Sequence, residues 1–295
     1  IFLHRPHVAE QFLPHLERMR PRPPVSYFGH DLHYLRFARE AALRDDEALR
    51  RESASWRRRE LAVCRRVERV YYFSDIEIEE LRPQLEGGML RCTPLYAVDF
   101  AALPSYDPDE PHSLLFVGGY NHPPNVDAAV WLARDILPPL REQVPQAHLH
   151  LVGSHPSEEV LALAGPGITV HGYVSDAELA ALYRSVAVAV VPLRYGAGVK
   201  GKVIEAVSHN VPVLTTDIGA EGMPQAEQVM WIENTATATA RRLAQLLVDD
   251  AARREKMACY AAWLQRHFAA ERAAAVLAAD SPALRRLAGG RSCAN

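Results

Sequence analysis

Lysine is almost missing from this chain: among 33 basic residues, only positions 200, 202 and 256 are lysine, and the rest are arginine. Other absences exclude whole classes of function. There is no strong excess of either charge, with 48% hydrophobic and 23% charged residues and a net charge of −3, so nothing draws the chain generally to nucleic acid or to an anionic bilayer. No apolar run approaches the roughly 18 residues needed to span a membrane, which leaves at most peripheral membrane contact. The four cysteines, Cys64, Cys92, Cys259 and Cys293, are far apart and form no C-x-x-C pair. That argues against a metal site or a disulfide framework, and a reducing cytoplasm, in reach of the inner membrane face, fits best. Internal repeats and low-complexity stretches are lacking too. No charged-then-apolar leader precedes Ile1, and the reading is of a processed chain or a piece of a longer one.

What is present is an alternation. At 295 residues the chain has room for two domains. The Pro- and Asp-rich stretch 99–113 reads as a linker between an N-terminal α/β domain (1–98) and a C-terminal one (114–279), with a tail at 280–295. Beyond the linker, strand-like runs at 114–117, 149–152, 168–170, 186–191, 211–215 and 229–232 alternate with helical stretches at 126–140, 158–164, 176–184, 202–208 and 237–247. Such alternation predicts an α/β fold, a doubly wound parallel sheet covered on both faces, with ligands at the carboxyl ends of the strands. Before the linker, only 25–28 and 70–73 read as strands, joined by one Arg/Glu-rich helical stretch over 35–67, so the first half of that domain is expected to be missing. The stretch 251–279 reads as a packing helix whose apolar face carries Trp263 and Phe268.

The chemistry concentrates after the apolar strand 186–193. Gly196, Ala197 and Gly198 allow close approach of a ligand to the backbone. Lys200 and Lys202 then fall at a helix start, where free amides and the dipole form an anion site. Two of the chain's three lysines stand where they would neutralise a diphosphate, and Glu205, one turn on, suits a ribose diol. A plain strand-to-helix connection with solvated lysines is the bland alternative. Gly196 to Lys202 also matches the start of a P-loop, G-x-x-x-x-G-K, but Val203 stands where Ser or Thr would hold Mg²⁺.

The order and spacing of several motifs resemble the retaining glycosyltransferases of the GT-B fold, specifically the large family 4 group. They are Phe116-Val117-Gly118-Gly119, Pro124-Asn125-Val126-Asp127-Ala128, Leu151-Val152-Gly153, His171-Gly172-Tyr173-Val174, Gly198 to Ala206, Asn210 to Leu214, and Thr215 to Gly222. The resemblance implies two Rossmann-like domains, the second binding a nucleotide-sugar co-substrate, with no other cofactor. It implies that Gly118 and Gly119 offer amides to phosphate or sugar and that Tyr173 and Val174 sit beside the base. Lys202, with Lys200, would meet the diphosphate and Glu205 the ribose, while Gly219, Ala220, Glu221 and Gly222 line the cleft. The family's first paired glutamate falls on Ala197, so Gly196, Ala197 and Gly198 would contact the sugar through the backbone.

His30, ending a strand, would face the donor sugar. Asp31 and Ser74 also read as helix caps, and Tyr34 and Arg36 as helix-face residues. His122 has only its loop placement in its favour, and Asp107-Pro108-Asp109 reads as a turn. His4, His7 and His15 lack partners at metal-ligand spacing, and Trp56 to Arg59 with Arg65 and Arg66 read as a solvated face or a contact to lipid-linked phosphate. The expected activity is metal-independent sugar transfer, with retention, to a glycan or lipid-linked acceptor. A sugar-nucleotide epimerase and an inactive nucleotide-sugar-binding module are the alternatives.

Overall fold

Short β-branched runs cannot bury both of their faces without helices on each side, and the chain meets that need twice. The computed structural model describes residues 1–95 and 103–280. The first unit contains β1 (Phe2–His4), α1 (Pro6–Arg18), β2 (Ser26–Phe28), α2 (His33–Arg44), α3 (Glu47–Cys64), β3 (Arg69–Tyr72), α4 (Asp75–Leu81) and β4 (Leu90–Cys92). Its four strands are parallel in the order β1-β2-β3-β4. This sequential order is one wing of a doubly wound sheet. β1 and β4 escape sequence reading because each is only three residues long. The helical stretch expected over 35–67 breaks in two at Asp45-Asp46. Asp45 adopts φ 51°, a left-handed conformation that Asp tolerates, and the Asp46 carboxylate caps α3 by accepting from the Ala48 and Leu49 amides.

The second unit runs through β5 (Glu110–Val117), α5 (Pro123–Trp131), α6 (Leu137–Gln143), β6 (His148–Val152), α7 (Glu158–Leu161), β7 (Ile168–Gly172), α8 (Asp176–Ser185), β8 (Val186–Val191), α9 (Gly201–Ser208), β9 (Val213–Thr215), α10 (Asp217–Ala220), β10 (Trp231–Ile232) and α11 (Ala236–Val248). Then follow α12 (Asp250–Met257), α13 (Tyr260–Phe268) and α14 (Ala270–Asp280). The six strands are parallel in the order β10-β9-β8-β5-β6-β7. Strand order reverses between β5 and β8, the crevice where open α/β sheets take their ligands. β8, Val-Ala-Val-Ala-Val-Val, is buried at every position, as a central strand covered on both faces must be.

Two expectations change in detail. β5 starts at Glu110, inside the stretch read as linker, and Glu110 lies in register with Val186 of β8; a Pro- and Asp-rich composition hides an edge-like strand start. Residues 99–102 of that linker, and 281–295 of the expected tail with Cys293, lie outside the described residues. The helix expected over 126–140 spans Pro123 to Gln143 but passes through a π-helical turn, Leu132–Ile136. Pro138 and Pro139 have no N–H to return to the preceding turn, and the Leu137 amide reaches back five residues to the Leu132 carbonyl.

The stretch 251–279 folds as three helices rather than one. Trp263 and Phe268 are buried in the second unit's core, whereas α14 returns to the first sheet. There the Asp280 carboxylate accepts from Arg91 at 2.8 and 3.0 Å, from Arg69 at 3.1 Å and from the Tyr71 hydroxyl at 2.9 Å. Burial works to raise its pKa, but these donors prevail and hold it below the usual aspartate range. Its stabilising contribution is therefore complete above the unfolded pKa and lost as pH falls through the folded one. Asp280→Ala is expected to release α14 from the first sheet and cost about 1–3 kcal/mol, seen as faster amide exchange in α14 with the second sheet unchanged. Unaltered exchange would show that the carboxylate does not tether the helix.

Candidate functional site

The loops that leave the carboxyl ends of β2, β3, β5, β8 and β9 meet between the two sheets. Gly198 has φ 77°, and a methyl group there would lie 2.8 Å from the His30 carbonyl oxygen. A methyl group on Gly222, at φ 74°, would lie 2.5 Å from the Ser74 side chain. Only glycine permits both the left-handed backbone and this closeness, so these two positions let the units touch.

Helix α2 supplies the side chains that bridge the gap. One Arg39 nitrogen lies 2.6 Å from the Gly196 carbonyl oxygen and 2.5 Å from Glu221 Oε2. Arg44 donates to the Tyr195 hydroxyl at 3.4 Å, and Arg36 lies 3.3 Å from His122 Nδ1. Arginine has no acceptor, so His122 Nδ1 must accept and its proton sits on Nε2. Burial, reinforced by the Arg36 charge, pushes the His122 pKa down to about 4 and keeps the ring neutral.

The lysine-bearing start of α9 sits against this bridge. No side chain caps α9, whose N-cap is Lys200. The Lys200 ammonium donates to the Gly198 carbonyl, and burial pushes its pKa down to about 8 despite the nearby Glu221 and Glu77. Lys202 donates to Asn125 Oδ1 at 2.6 Å and lies 4.7 Å from the centre of the Phe116 ring. Its burial, with Lys200 adding repulsion, pushes its pKa down to about 7. Glu205 accepts from the Tyr183 hydroxyl at 3.3 Å, and its pKa is raised by burial. Val203 is fully buried in the core, so the position where a P-loop needs a hydroxyl faces away from any phosphate.

A cavity of about 320 Å³ opens beside these groups. His30, Ala197 and Lys200 line it, together with Arg5, Asp31, Arg36 and His122. Burial, followed by the charges of His4 and Arg5, lowers the His30 pKa.

The structure thus gathers His30, Gly196, Ala197, Gly198, Lys200, Lys202, Glu221 and Gly222, with refinements for others. The Gly118 amide is spent on the Val152 carbonyl at 2.9 Å and is not available to a ligand; Gly118 instead makes room, since a methyl group on it would lie 2.6 Å from Lys202 Nζ. Among the described residues the Gly119 amide has no partner, and its carbonyl accepts from Asn125. Gly219 and Ala220 are buried with both amides spent on Thr216. Tyr173, 78% exposed, follows the edge strand β7 and stands two strands from the crevice, with Val174 half-buried against the core beside it.

Asp31 makes no cap bond to α2, whose N-cap is Leu32. Ser74 does hold the N-cap position of α4, but its hydroxyl donates to Glu77 instead of accepting from the helix. Arg59 and Arg66 are paired with Glu10 and Glu17 at 2.7 and 2.8 Å. Sequence reading missed Arg39, Asn125 and Glu77. Asn125 lies within a quoted motif, whereas Arg39 is one arginine in an Arg/Glu-rich helix and gives no local signal. Among the described residues no group of three or more His, Cys, Asp or Glu is arranged to hold a metal ion, and no helix is long and apolar enough to cross a membrane.

Comparison with known proteins bears on the fold. Residues 111–249 match the family model described as Glycosyl transferases group 1. A 44.6 kDa protein in the cps region of Klebsiella pneumoniae is 31% identical over 126 residues, covering 40% of this chain and 32% of that protein. Among solved structures, S. aureus TarM in complex with fondaparinux, alpha-GlcNAc-glycerol and UDP superposes with a TM-score of 0.71 at 13% identity, over 94% of this chain and 53% of that one. Sucrose-phosphate synthase from Thermosynechococcus elongatus gives 0.72 at 21% identity over 98% and 74%. The pneumococcal O-GlcNAc transferase GtfA, in complex with UDP and GlcNAc, gives 0.69 at 13% identity over 97% and 56%. The architecture is the α/β GT-B arrangement of glycosyltransferases. Within it, the match to the family model falls wholly in the second unit. The chain spans about a third of the length of the Klebsiella relative and about half that of TarM.

Arg39 is the test of the bridge. Arg39→Ala strands the buried Glu221 carboxylate and is expected to cost about 2–4 kcal/mol. Adding Glu221→Gln should recover part of that loss, read as coupling in a urea-denaturation cycle. Fully additive losses would mean that the two groups do not act together.

Proposed function

We propose that the chain is the donor-binding part of a glycosyltransferase that moves a sugar from a nucleoside diphosphate to a hydroxyl acceptor with retention of configuration. The observation that carries this reading is the convergence of Lys200, Lys202 and the uncapped start of α9 on the crevice between β5 and β8, facing His30 across the cleft. A nucleoside diphosphate placed there meets two ammonium groups and free helix amides. As the bond between the anomeric carbon and the β-phosphate oxygen breaks, negative charge grows on that oxygen. Lys202, Lys200 and the α9 amides stabilise it without a metal ion, as preorganised charges in a site shielded from water. The acceptor hydroxyl oxygen forms its bond to the anomeric carbon on the face the diphosphate leaves, and its proton passes to the departing phosphate. His30 positions the sugar or steers the leaving group, and Glu205 holds the ribose.

The UDP named in the TarM and GtfA complexes supports a uridine nucleotide as the first donor to try. The acceptor we propose is a surface glycan or its lipid-linked precursor, met in the cytoplasm at the membrane's inner face. Release of nucleoside diphosphate from sugar nucleotides, with and without such acceptors, tests the reading. Binding without turnover, in the chain extended to the length of its relatives, would favour the inactive module that Ala197 brings to mind.

The lysines make a sharper test. Their pKa values of about 7 and 8 in the free protein rise when a diphosphate dianion or trianion arrives. Between pH 7 and 9, UDP binding should therefore take up protons, and its affinity should fall as pH rises. Titration calorimetry in buffers of different ionisation enthalpy reads this directly. Lys202→Ala should weaken binding about tenfold or more and remove much of the proton uptake. Affinity that is flat with pH, or proton release, would refute this placement of the diphosphate.

A further inference from the structure

The cavity beside the anion site has a charge pattern that a neutral sugar leaves unused. Arg5 and Arg36 enter it from the first unit and Lys200 from the second, against one carboxylate, that of Asp31. With Lys200 assigned to the diphosphate, two guanidinium groups still face Asp31 alone. Arg36 is mostly buried, with 18% of its side chain exposed. Yet among the described residues its one hydrogen bond is to His122 at 3.3 Å, Asp31 stands 4.0 Å away, and the Phe37 ring centre lies 5.2 Å from its guanidinium carbon. A guanidinium carries five N–H donors in a planar fork, so most of this group's capacity is unspent. Ala197, from the second unit, lines the same cavity with a methyl group, and among the described residues Asp31 is the one carboxylate in the lining, so no second carboxylate competes for Arg36 or repels an incoming anion. Neutral His122, its acceptor nitrogen turned to Arg36, keeps one N–H to give.

A planar fork with free donors, a neighbouring second arginine and an apolar wall make a site for a carboxylate. We propose that the glycosyl group this site takes is acidic: a hexuronate whose carboxylate is bound by Arg36, with Arg5 adding long-range attraction. The proposal rests on the donor-site reading above and names the class of sugar within it. Arg36 thereby becomes a specificity-determining residue, while the diphosphate remains the task of Lys200 and Lys202.

The test uses the 295-residue chain and matched donor pairs, UDP-glucose with UDP-glucuronate and GDP-mannose with GDP-mannuronate, alongside UDP and GDP alone. For the base that binds, the uronate donor should bind about tenfold or more tightly than its neutral partner, the worth of one charge-assisted fork. Arg36→Gln should bring that ratio close to one, Arg36→Lys should restore part of it, and Ala197→Glu should invert it. Equal affinity for the two donors of a pair, while the nucleoside diphosphate still binds, would overturn this proposal alone. A ratio that survives Arg36→Gln, or a loss equal for both donors, would overturn it as well, the latter by placing Arg36 on the diphosphate. Failure of both UDP and GDP to bind would instead bring down the donor-site reading, and this inference with it.

Discussion

The cleft is held by one cation with two tasks. Arg39 reaches from α2 to the Gly196 carbonyl and to Glu221, which fixes the loop after β8 and the end of α10 with a single side chain. Without that cation, Glu221 would be a buried carboxylate near a second one, Glu77, each with an oxygen that has no hydrogen-bond partner. Neighbouring like charges of this kind are costly in a low-dielectric interior. Lys200 and Arg39 make the arrangement tolerable by interleaving positive charge, so the loop after β8, its lysine and the first unit's helix are parts of one electrostatic unit. The shape of the crevice follows from that balance.

Topology does the rest. Strand order reverses between β5 and β8, which splays the loops that follow them and leaves a hollow bounded by Gly119 on one side and Gly196 to Lys200 on the other. Phe116, Asn125 and Lys202 meet at its floor, where Gly118 gives up its side chain so that an ammonium group can fit. The first unit then roofs the hollow with His30 and α2. A hollow assembled in this way draws on residues from His30 to Lys202, most of them delivered by the end of a strand or the start of a helix.

This explains what could be read from the sequence. Long β-branched runs such as Val186–Val191, and the glycine-lysine pattern after it, carry their own physics and are legible locally. The three-residue strands Phe2–His4 and Leu90–Cys92 are not, because a strand that short is defined by its neighbour's hydrogen bonds. Nor is Arg39 legible: nothing separates it from Arg44 or Arg50 until α2 is docked. The Gly118 amide is not legible for a similar reason, since whether it is free depends on a register with Val152 that sequence does not print. Asp31, read as a cap, turned out to line the cavity because α2 begins one residue later. Local signals located most of the elements and the lysine-bearing loop, and tertiary docking decided which polar groups were still unspent.

The return of α14 to the first sheet has a mechanical meaning. The chain passes from the first unit to the second between β4 and β5, and passes back between α13 and α14, where Asp280 is gripped by Arg69, Tyr71 and Arg91. The first unit is thus held to the second through α14 as well as through the contacts of α2. Parting the units at the cleft would have to carry α14 away from α13 or break the contacts of Asp280. A helix that follows the second unit in sequence and belongs to the first in packing makes the C-terminal stretch a strap across both.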